Sequence, residues 1–276
     1  MTALLTFVIP IRHQESAPNW DVTKKNLAET MRSISSQEKG LWRCIIVANE
    51  GADLPDMPDG FTVCRVNFPI NKDFKLSPEN REQSWEAVRV DKGMRILSGI
   101  LFLKPTKYLM VVDDDDFLHH RLAAFVKEND GKNGWYIGNG YIWTDGGNLL
   151  LKYRNFNHTC GTSHIVKTSL LEIPRSLAEA DIEYVKKMFG SHRFIAEELE
   201  KNGTPLGLLP FEGAVYRVGH ADAHSKPDGI FKRYIIKKSL SKIVLHPKEL
   251  VWTILRLRHL KLLTNSKRKQ FFGRDI

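Results

Sequence analysis

The sequence has 276 residues, of which 42% are hydrophobic and 26% are charged, and this composition excludes a disordered chain and permits one large buried core. No apolar run is long enough to cross a bilayer. The net charge of +9 is concentrated at one end, because residues 226–276 hold 14 basic and 3 acidic side chains. This asymmetry predicts a domain over residues 1–225 and a basic helical extension over residues 226–276, with an anionic partner for the extension.

The cysteines and the first residues indicate the compartment. Cys44, Cys64 and Cys160 are odd in number and widely spaced, without a Cys-x-x-Cys pair, which predicts buried free thiols in a reducing compartment. The first ten residues lack the basic region and the cleavage site of a signal peptide, so we expect them to form a strand. A cytoplasmic location follows as an expectation.

Strand and helix patterns alternate through the first half of the chain. Apolar runs predict strands at residues 4–11, 42–48, 61–66 and 108–112. Helical spacing of apolar residues predicts helices at residues 27–36 and 91–103. This alternation predicts an α/β fold with a parallel, doubly wound central sheet.

The strand at residues 108–112 runs directly into four carboxylates, Asp113 to Asp116. Ligands of open α/β sheets bind beyond the carboxyl ends of the strands. Adjacent carboxylates repel one another, and a divalent cation that also binds a phosphate relieves this repulsion. The pattern predicts a metal-dependent site for a phosphorylated ligand. The alternative is a solvated acidic turn in which Asp116 caps a helix that begins near Leu118.

Four ordered segments carry a resemblance to a known family. They are Val8-Ile9-Pro10, Val47 to Asp53, Arg89 to Gly93 and Val112 to Asp116. Together they resemble the GT-A glycosyltransferases, close to the large family 2, over residues 4–118 and more loosely to about residue 225. Family 2 usually has Asp-Asp-Gly-Ser-x-Asp after the second strand, whereas this chain has Asn49 there and keeps only Asp53.

The resemblance implies a GT-A fold, which is Rossmann-like with a mostly parallel central sheet flanked by helices. It also implies transfer of a sugar from a nucleotide-sugar donor, expected to be a UDP-sugar, to a hydroxyl of a glycan or lipid-linked glycan. Mn²⁺ or Mg²⁺ would neutralise the diphosphate leaving group. By this resemblance Asp113 lies near the ribose or the metal, Asp115 ligates the metal, and Asp116 is catalytic on the donor-sugar side. Because four aspartates are consecutive, their alignment with the family's Asp-x-Asp-Asp motif can shift by one residue. Asp114 is therefore a further nucleotide-binding candidate.

The resemblance also implies a set of nucleotide-binding residues. These candidates are Pro10, Arg12, Asn49, Arg89 and Asp91. Pro10 and Arg12 would border the nucleobase pocket, with Arg12 as a phosphate clamp. Asp91 replaces the usual Asn of the family and is the better candidate of its segment. For Arg89 and Lys92 a solvent-facing first helical turn is an equal alternative.

Family 2 enzymes that invert the anomeric centre commonly carry Glu-Asp about a dozen residues before a glycine, and the Asp is the base. Counting back from Gly203 places Ser191-His192 at that position. A histidine base suits deprotonation near neutral pH, so His192 is the candidate base of an inverting reaction. The alternative is a helix start capped by Ser191. Glu197 and Glu198 are further candidates, and a retaining mechanism would apply if none of these residues serves.

Four more histidines have candidate roles. His158 and His164 lie in the region that lines the acceptor side in the resembling family, where they could bind sugar hydroxyls or be ordinary loop histidines. Residues 215–225 resemble the family's Tyr-Arg-Val-His segment, which implies that His220 or His224 is an additional metal ligand. An ordinary polar loop is the alternative for both.

The extension is predicted to contain a helix from Pro247 through Leu263. Its basic and apolar residues suit the surface of an anionic membrane, which would place the protein peripherally on the inner face of the cell membrane. The residues concerned are Trp252, Leu255, Arg256, Arg258 and Lys261. Helices packed on the catalytic domain are the alternative.

Two other functions fit the sequence less well. A nucleotidyl- or phosphotransferase is disfavoured because no Gly-rich phosphate loop follows the first strand. A nucleic-acid-binding module that uses the basic extension leaves the acidic strand end unexplained, and the sequence shows no recognition motif. We therefore expect no nucleic-acid partner.

Overall fold

The computed structural model describes residues 3–71, 81–219, 229–235 and 247–273. A seven-stranded sheet contains β1 (Leu5–Pro10), β2 (Trp42–Asn49), β3 (Phe61–Val66), β4 (Tyr108–Val111), β6 (Gly134–Tyr136), β9 (His164–Lys167) and β10 (Gly207–Leu208). Its order is β10-β6-β9-β4-β1-β2-β3. All pairs are parallel except those of β9, which runs antiparallel to β4 and β6. The prediction of a mostly parallel α/β sheet is confirmed.

Helices cover both faces of this sheet. The described helices are α1 (Trp20–Ser35), α2 (Arg81–Leu103), α3 (Leu122–Glu128), α4 (Ile182–Met188), α5 (Ile195–Lys201), α6 (Pro247–Leu257) and α7 (Asn265–Phe272). Leu27 and Met31 of α1 share one core cluster with Phe7 of β1, and Ile96 of α2 shares the opposite cluster with Val8. Successive residues of β1 therefore face different helices, which explains why the strand is apolar throughout.

The first helix starts earlier than its apolar spacing indicates. The prediction placed it at residues 27–36, but α1 begins at Trp20 because the Asn19 side chain accepts hydrogen bonds from the backbone N–H groups of Asp21 and Val22. Such an N-cap satisfies donors that a helix start otherwise leaves open. The first turns of α1 are mostly polar, so the spacing of apolar residues does not indicate them.

A second sheet of five strands stands beside the first. Its strands are β5 (Phe117–Leu118), β7 (Asn139–Thr144), β8 (Leu149–Arg154), β11 (Ala214–Val218) and β12 (Leu260–Leu262), in the order β12-β8-β7-β11-β5. The aromatic and apolar residues of the run 135–143 predict, from sequence, one strand broken by glycine. The structure divides it at Gly138 into β6 and β7, which belong to different sheets. Asp145-Gly146-Gly147, a turn signal in the sequence, joins β7 to β8.

The described part of the expected extension is not entirely helical. The predicted helix from Pro247 ends at Leu257, and Leu260–Leu262 pairs with β8 as an edge strand. Alternation of apolar and charged residues with period two suits such a strand. Phe271 and Phe272 of α7 are buried in a cluster with Phe117. The expected boundary near Ser225 lies outside the described residues.

Cys44, Cys64 and Cys160 are all buried free thiols, as predicted. Among the helices that the structure describes, none combines the length and apolar character that a bilayer span requires.

Candidate active site

The candidate site lies where the strand order of the large sheet changes direction. β1 has β2 on one side and β4 on the other, and all three strands are parallel. In doubly wound sheets such a switch point opens a crevice beyond the carboxyl ends of the strands, and ligands bind there. Pro10 ends β1 and is followed by Arg12, while the acidic run follows β4. Two of the candidate segments therefore meet at this crevice.

The acidic loop has a fixed backbone. The Asp113 N–H donates to Oγ1 of Thr162 at 2.9 Å, and the Asp116 N–H donates to the Asp113 carbonyl at 3.3 Å. Thr30 of α1 donates from its Oγ1 to the Asp114 carbonyl at 3.1 Å. These bonds tie the loop to two other elements, which favours a preorganised site over a mobile acidic turn.

Asp116 is an interior residue, with 0% of its surface exposed. Its carboxylate accepts hydrogen bonds from Thr162 Oγ1 at 2.5 Å, from Cys160 Sγ at 3.1 Å and from the Arg217 N–H at 3.3 Å. Burial raises the pKa of Asp116 well above its usual range, and the charge of Asp115 adds to this effect.

These contacts differ from both expectations for Asp116. The alternative of a helix cap is wrong, because α3 begins only at Leu122 and Arg121 occupies the position before it. A position on the donor-sugar side requires an accessible carboxylate, whereas Asp116 is enclosed by the chain. The physical reason is that its oxygens link the acidic loop to β11 and to the segment before β9.

Asp113 forms an ion pair with Lys92 of α2, and about a quarter of each side chain is exposed, 27% and 25% respectively. Burial lowers the pKa of Lys92, but the attraction of Asp113 outweighs it and the net shift is upward. Gly161 lies directly against this pair, and a Cβ there would sit 3.0 Å from Lys92 Nζ. Lys92 thus faces the site, and the alternative of a solvent-facing turn is wrong for this residue.

His192 lies beside the same ion pair. Burial and then the charge of Lys92 lower its pKa to about 4, although Asp113 opposes them. The backbone of His158 lies near the ring and acts in the opposite direction, raising this pKa. Nε2 is buried and has no hydrogen-bond partner among the residues that the structure describes. His192 is therefore a neutral imidazole with an enclosed Nε2 that has no described partner.

Close contact between α2 and α4 brings His192 to Lys92. A Cβ on Gly93 would lie 2.7 Å from Val185 Cγ1, and a Cβ on Gly190 would lie 2.8 Å from the carbonyl carbon of Arg89. Both distances are shorter than real Cβ contacts, so only glycine permits this approach. The segment that follows α4, which carries His192, is thereby held against α2.

The rival candidates near His192 have other roles. α5 begins at Ile195 after Phe194, so Ser191 does not cap it. Glu197 pairs with Lys201 at 2.8 Å and Glu198 pairs with Lys187 at 2.6 Å. These carboxylates are engaged in ion pairs on the helix, whereas Nε2 of His192 is unpaired among the described residues.

His164 is close enough to His192 and His158 for their charges to act on it. It is 4% exposed, and burial lowers its pKa to about 3, with smaller contributions from His192 and His158. Its Nδ1 lies 3.1 Å from Ser163 Oγ. The histidines of the predicted acceptor side therefore gather around the candidate base.

Comparisons with known proteins found similarity to solved structures but not to known sequences or families. No model of a known protein family matches it, and no curated protein matches it. Among solved structures, residues 1–349 of S. aureus TarS match with a TM-score of 0.44 and 12% identity, over 78% of this chain and 60% of that one. A longer TarS structure matches with a TM-score of 0.41 and 13% identity, over 79% of this chain and 37% of that one.

Rv0371C of Mycobacterium tuberculosis H37Rv, solved in complex with manganese, matches with a TM-score of 0.34 and 9% identity, over 78% of this chain and 92% of that one. The chain thus spans less than two thirds of either TarS structure. Likeness at this level is remote, so the activity and ligands of these proteins are not transferred to this chain. The fold class rests on the chain's own topology.

Four parallel strands run in the order β4-β1-β2-β3, with helices on both faces, and the acidic run closes β4 at the switch point. Antiparallel β9 extends the sheet beyond β4, and a smaller second sheet follows. This topology agrees with the Rossmann-like, mostly parallel sheet flanked by helices that the sequence resemblance implied.

A buried network lies at the end of β2. Asn49 is 2% exposed; its Nδ2 donates to the Phe68 carbonyl at 2.7 Å and its Oδ1 accepts from Arg95 NH1 at 2.7 Å. Arg95 also pairs with Asp91 at 2.9 Å. The carboxamide of Asn49 is thus engaged by the protein itself, and the binding role predicted for Asp91 remains a prediction. No feature of the sequence singled out Arg95.

Arg89 and Arg12 have different surroundings. Arg89 pairs with Glu86 at 2.6 Å, and Glu86 also pairs with Lys186 at 2.7 Å, so these charges tie α2 to α4. Arg12 lies near Asp114, and its charge lowers the pKa of that carboxyl group. Arg12 is therefore placed beside the acidic loop, and its role as a phosphate clamp stays a prediction.

The acidic loop offers carboxylate oxygens to a divalent cation. Burial, followed by the charge of Asp115, raises the pKa of Asp114 to about 7 despite Arg12. Carboxylate oxygens are the ligands that Mg²⁺ and Mn²⁺ prefer, and a cation would relieve this crowding of negative charge. Within the described residues no group of three potential ligands is assembled. His220 and His224, the predicted additional ligands, lie outside them.

Proposed function

We propose that this protein is a metal-dependent glycosyltransferase that transfers a sugar from a nucleotide-sugar donor, with a UDP-sugar as the first candidate, to a hydroxyl of a glycan or lipid-linked glycan. The observation that carries this proposal is the meeting of three groups at the switch point. Arg12 follows β1, the acidic loop follows β4, and His192 is held beside Asp113. Arg12 suits the diphosphate of the donor, the carboxylates suit the metal ion that binds this diphosphate, and His192 suits the acceptor hydroxyl.

The proposed mechanism is a single displacement with inversion. Asp113 and Asp115 would hold Mn²⁺ or Mg²⁺, with His220 or His224 as a further candidate ligand, and the ion would supply Lewis-acid stabilisation to the leaving diphosphate. Arg12 donates to the phosphate oxygens. The acceptor oxygen bonds to the anomeric carbon, the bond to the β-phosphate oxygen breaks, and the nucleoside diphosphate leaves with the electron pair. His192 Nε2 takes the acceptor proton.

Binding of nucleotides to the folded chain tests this function directly. UDP and UDP-sugars in the presence of Mn²⁺ should raise the melting temperature by several degrees, because a ligand at about 100 times its Kd stabilises the folded state by about 2.7 kcal/mol. Chelator should remove most of the shift. A screen in which no nucleoside diphosphate changes the melting temperature, with or without metal, would refute the proposal.

We also propose that the end of the chain attaches to an anionic membrane. Three apolar residues of α6, spaced within an arc of about 120° of the helix, are exposed, and so is one residue of β12. Their exposed fractions are 55% for Val251, 48% for Ile254, 41% for Leu257 and 69% for Leu262. Arg258 and Lys261 are exposed between them, and residues 251–273 contain no acidic side chain. Like charges on two copies of this surface would repel, which favours a lipid partner over self-association.

The membrane proposal predicts charge-dependent binding to vesicles. The protein should sediment with phosphatidylcholine vesicles only when they contain phosphatidylglycerol, since each basic residue near an anionic surface contributes about 1 kcal/mol. Ile254→Asp should weaken this binding several-fold. Ile182→Asp, at an isoleucine of α4 that is 42% exposed, is the matched control. Equal binding of all three proteins, or binding to neutral vesicles alone, would contradict the proposal.

A further inference from the structure

A second cleft, with a volume of about 450 Å³, lies at Gly138. There β6 of the large sheet ends and β7 of the second sheet begins. This volume lies in the range of sites that bind small molecules. Three asparagines, Asn139, Asn155 and Asn157, line it, together with Tyr136. The cleft is separate from the acidic loop, and none of the residues considered above for the donor or the metal belongs to it.

The asparagine side chains have unused hydrogen-bonding capacity. None of the three carboxamides hydrogen-bonds another of the described residues, although only 7% of Asn157 is exposed. Asn155 has a φ of 55°, a conformation that asparagine tolerates, so its identity also has a local reason. Asn139 and Asn157 have no such reason. A carboxamide both donates and accepts, which matches the paired donor and acceptor character of sugar hydroxyls.

The cleft also carries a positive charge that the described protein does not neutralise. Lys152 is paired with Glu212 at 2.6 Å. Arg154 is exposed, and no acidic group among the described residues pairs with it. A guanidinium offers two parallel N–H donors to a carboxylate or phosphate. The lining therefore combines polyol recognition with one anion contact.

One short segment connects this cleft to the candidate base. Asn155 and Asn157 line the cleft, and the backbone of the next residue, His158, lies near the ring of His192. Phe156 between them is 0% exposed and packs against Gly140, where a Cβ would lie 2.6 Å from Cε2 of its ring. The segment is thus anchored in the core, so the cleft and His192 have a fixed relation.

We propose, building on the glycosyltransferase function above, that this cleft binds the acceptor and that the acceptor is an acidic glycan. The three carboxamides bind its hydroxyls, and Arg154 binds a carboxylate or phosphate on the sugar. This arrangement selects anionic acceptors over neutral ones and leads the bound sugar toward His192. The donor site takes no part in this selection.

Direct titration of the full chain with simple sugars tests the inference. Glucuronic acid and glucose 6-phosphate should each bind about ten-fold more tightly than glucose, because a hydrogen bond to a charged group adds about that factor. Preference for one of the two acids identifies the carboxylate or the phosphate as the recognised group. Saturation-transfer NMR, with affinities from titration, is the measurement.

Two variants separate the two parts of the cleft. Arg154→Gln should lower the affinity for the acidic sugars to that for glucose. Asn157→Leu should lower the affinity for all three sugars. Arg175→Gln, at an exposed arginine that does not line the cleft, is the control. Glucose binding as tightly as the acids, or an unchanged acid affinity in Arg154→Gln, would overturn the inference. UDP should still raise the melting temperature of every variant. If UDP does not raise the melting temperature of the wild type, the proposed function is wrong, and the inference about the cleft is not what has failed.

Discussion

Replacing Asp115 or Asp113 by asparagine is expected to lower the rate of sugar transfer by about a thousand-fold. A metal ion that neutralises the leaving diphosphate supplies several kcal/mol of transition-state stabilisation, and each 1.4 kcal/mol or so is a factor of ten in rate. An amide keeps the shape of the carboxylate but removes the charge that holds the cation. Initial rates at saturating Mn²⁺ give the comparison, and the apparent Mn²⁺ affinity should fall in parallel.

The matched control for the first prediction is Asp130→Asn. Asp130 pairs with Lys107 at 2.7 Å on the surface, so this change also removes one carboxylate from a lysine pair. The Asp130 variant should retain wild-type activity. Melting temperatures show whether Asp113→Asn, which leaves Lys92 without its partner, is folded. Folded Asp113 and Asp115 variants that turn over donor at the wild-type rate in chelator would refute the metal site.

Replacing His192 by alanine is expected to lower kcat by about a hundred- to ten-thousand-fold, the range for loss of a general base. The structure gives the base a pKa of about 4, so its neutral form predominates at pH 5 and above. Wild-type kcat/KM should therefore fall as the pH drops through about 4, while the small residual rate of the variant should lack this step. The pH profile separates a base from a residue that only packs.

His259→Ala, at an exposed histidine with no place in the site, is the control for the second prediction. Glu198→Gln tests the rival carboxylate, and its activity should remain near wild type because Glu198 is paired with Lys187. A folded His192→Ala enzyme with wild-type kcat, or a large loss in Glu198→Gln, would assign the base elsewhere. Retention of the anomeric configuration in the product, read by NMR, would exclude the single displacement.

The strands were predictable because each carries its own signal. Residues 61–66 were predicted as a strand and β3 has those bounds, while 42–48 differs from β2 by one residue. A strand buried on both faces is apolar throughout, which is readable from a few residues. The helix from Pro247 was predicted too long, because alternation over three residues at Leu260–Leu262 is too short to outweigh the helical pattern before it.

The acidic run shows what the local sequence can predict about the site and what it cannot. Its position at the end of β4 follows from the apolar strand before it, and the structure has it at the switch point of the sheet. The four carboxylates look equivalent in sequence, yet Asp116 is fully buried while Asp113 is partly exposed to the site. Only the contacts with Thr162, Cys160 and β11 distinguish them, and these come from segments far along the chain.

By itself the sequence determined the α/β class and the carboxylate cluster at the end of β4, because both are carried by patterns local in the chain, and it nominated His192 as the candidate base through the family resemblance. Tertiary structure alone decided that Lys92 pairs with Asp113, that Asn49 is held by Arg95, and that β6 and β7 belong to separate sheets. Side chains from distant segments meet only after the helices pack, and the glycines that permit the approach of α2 and α4 carry no signal of their partners. Packing therefore assigns the roles among residues that the sequence can only nominate.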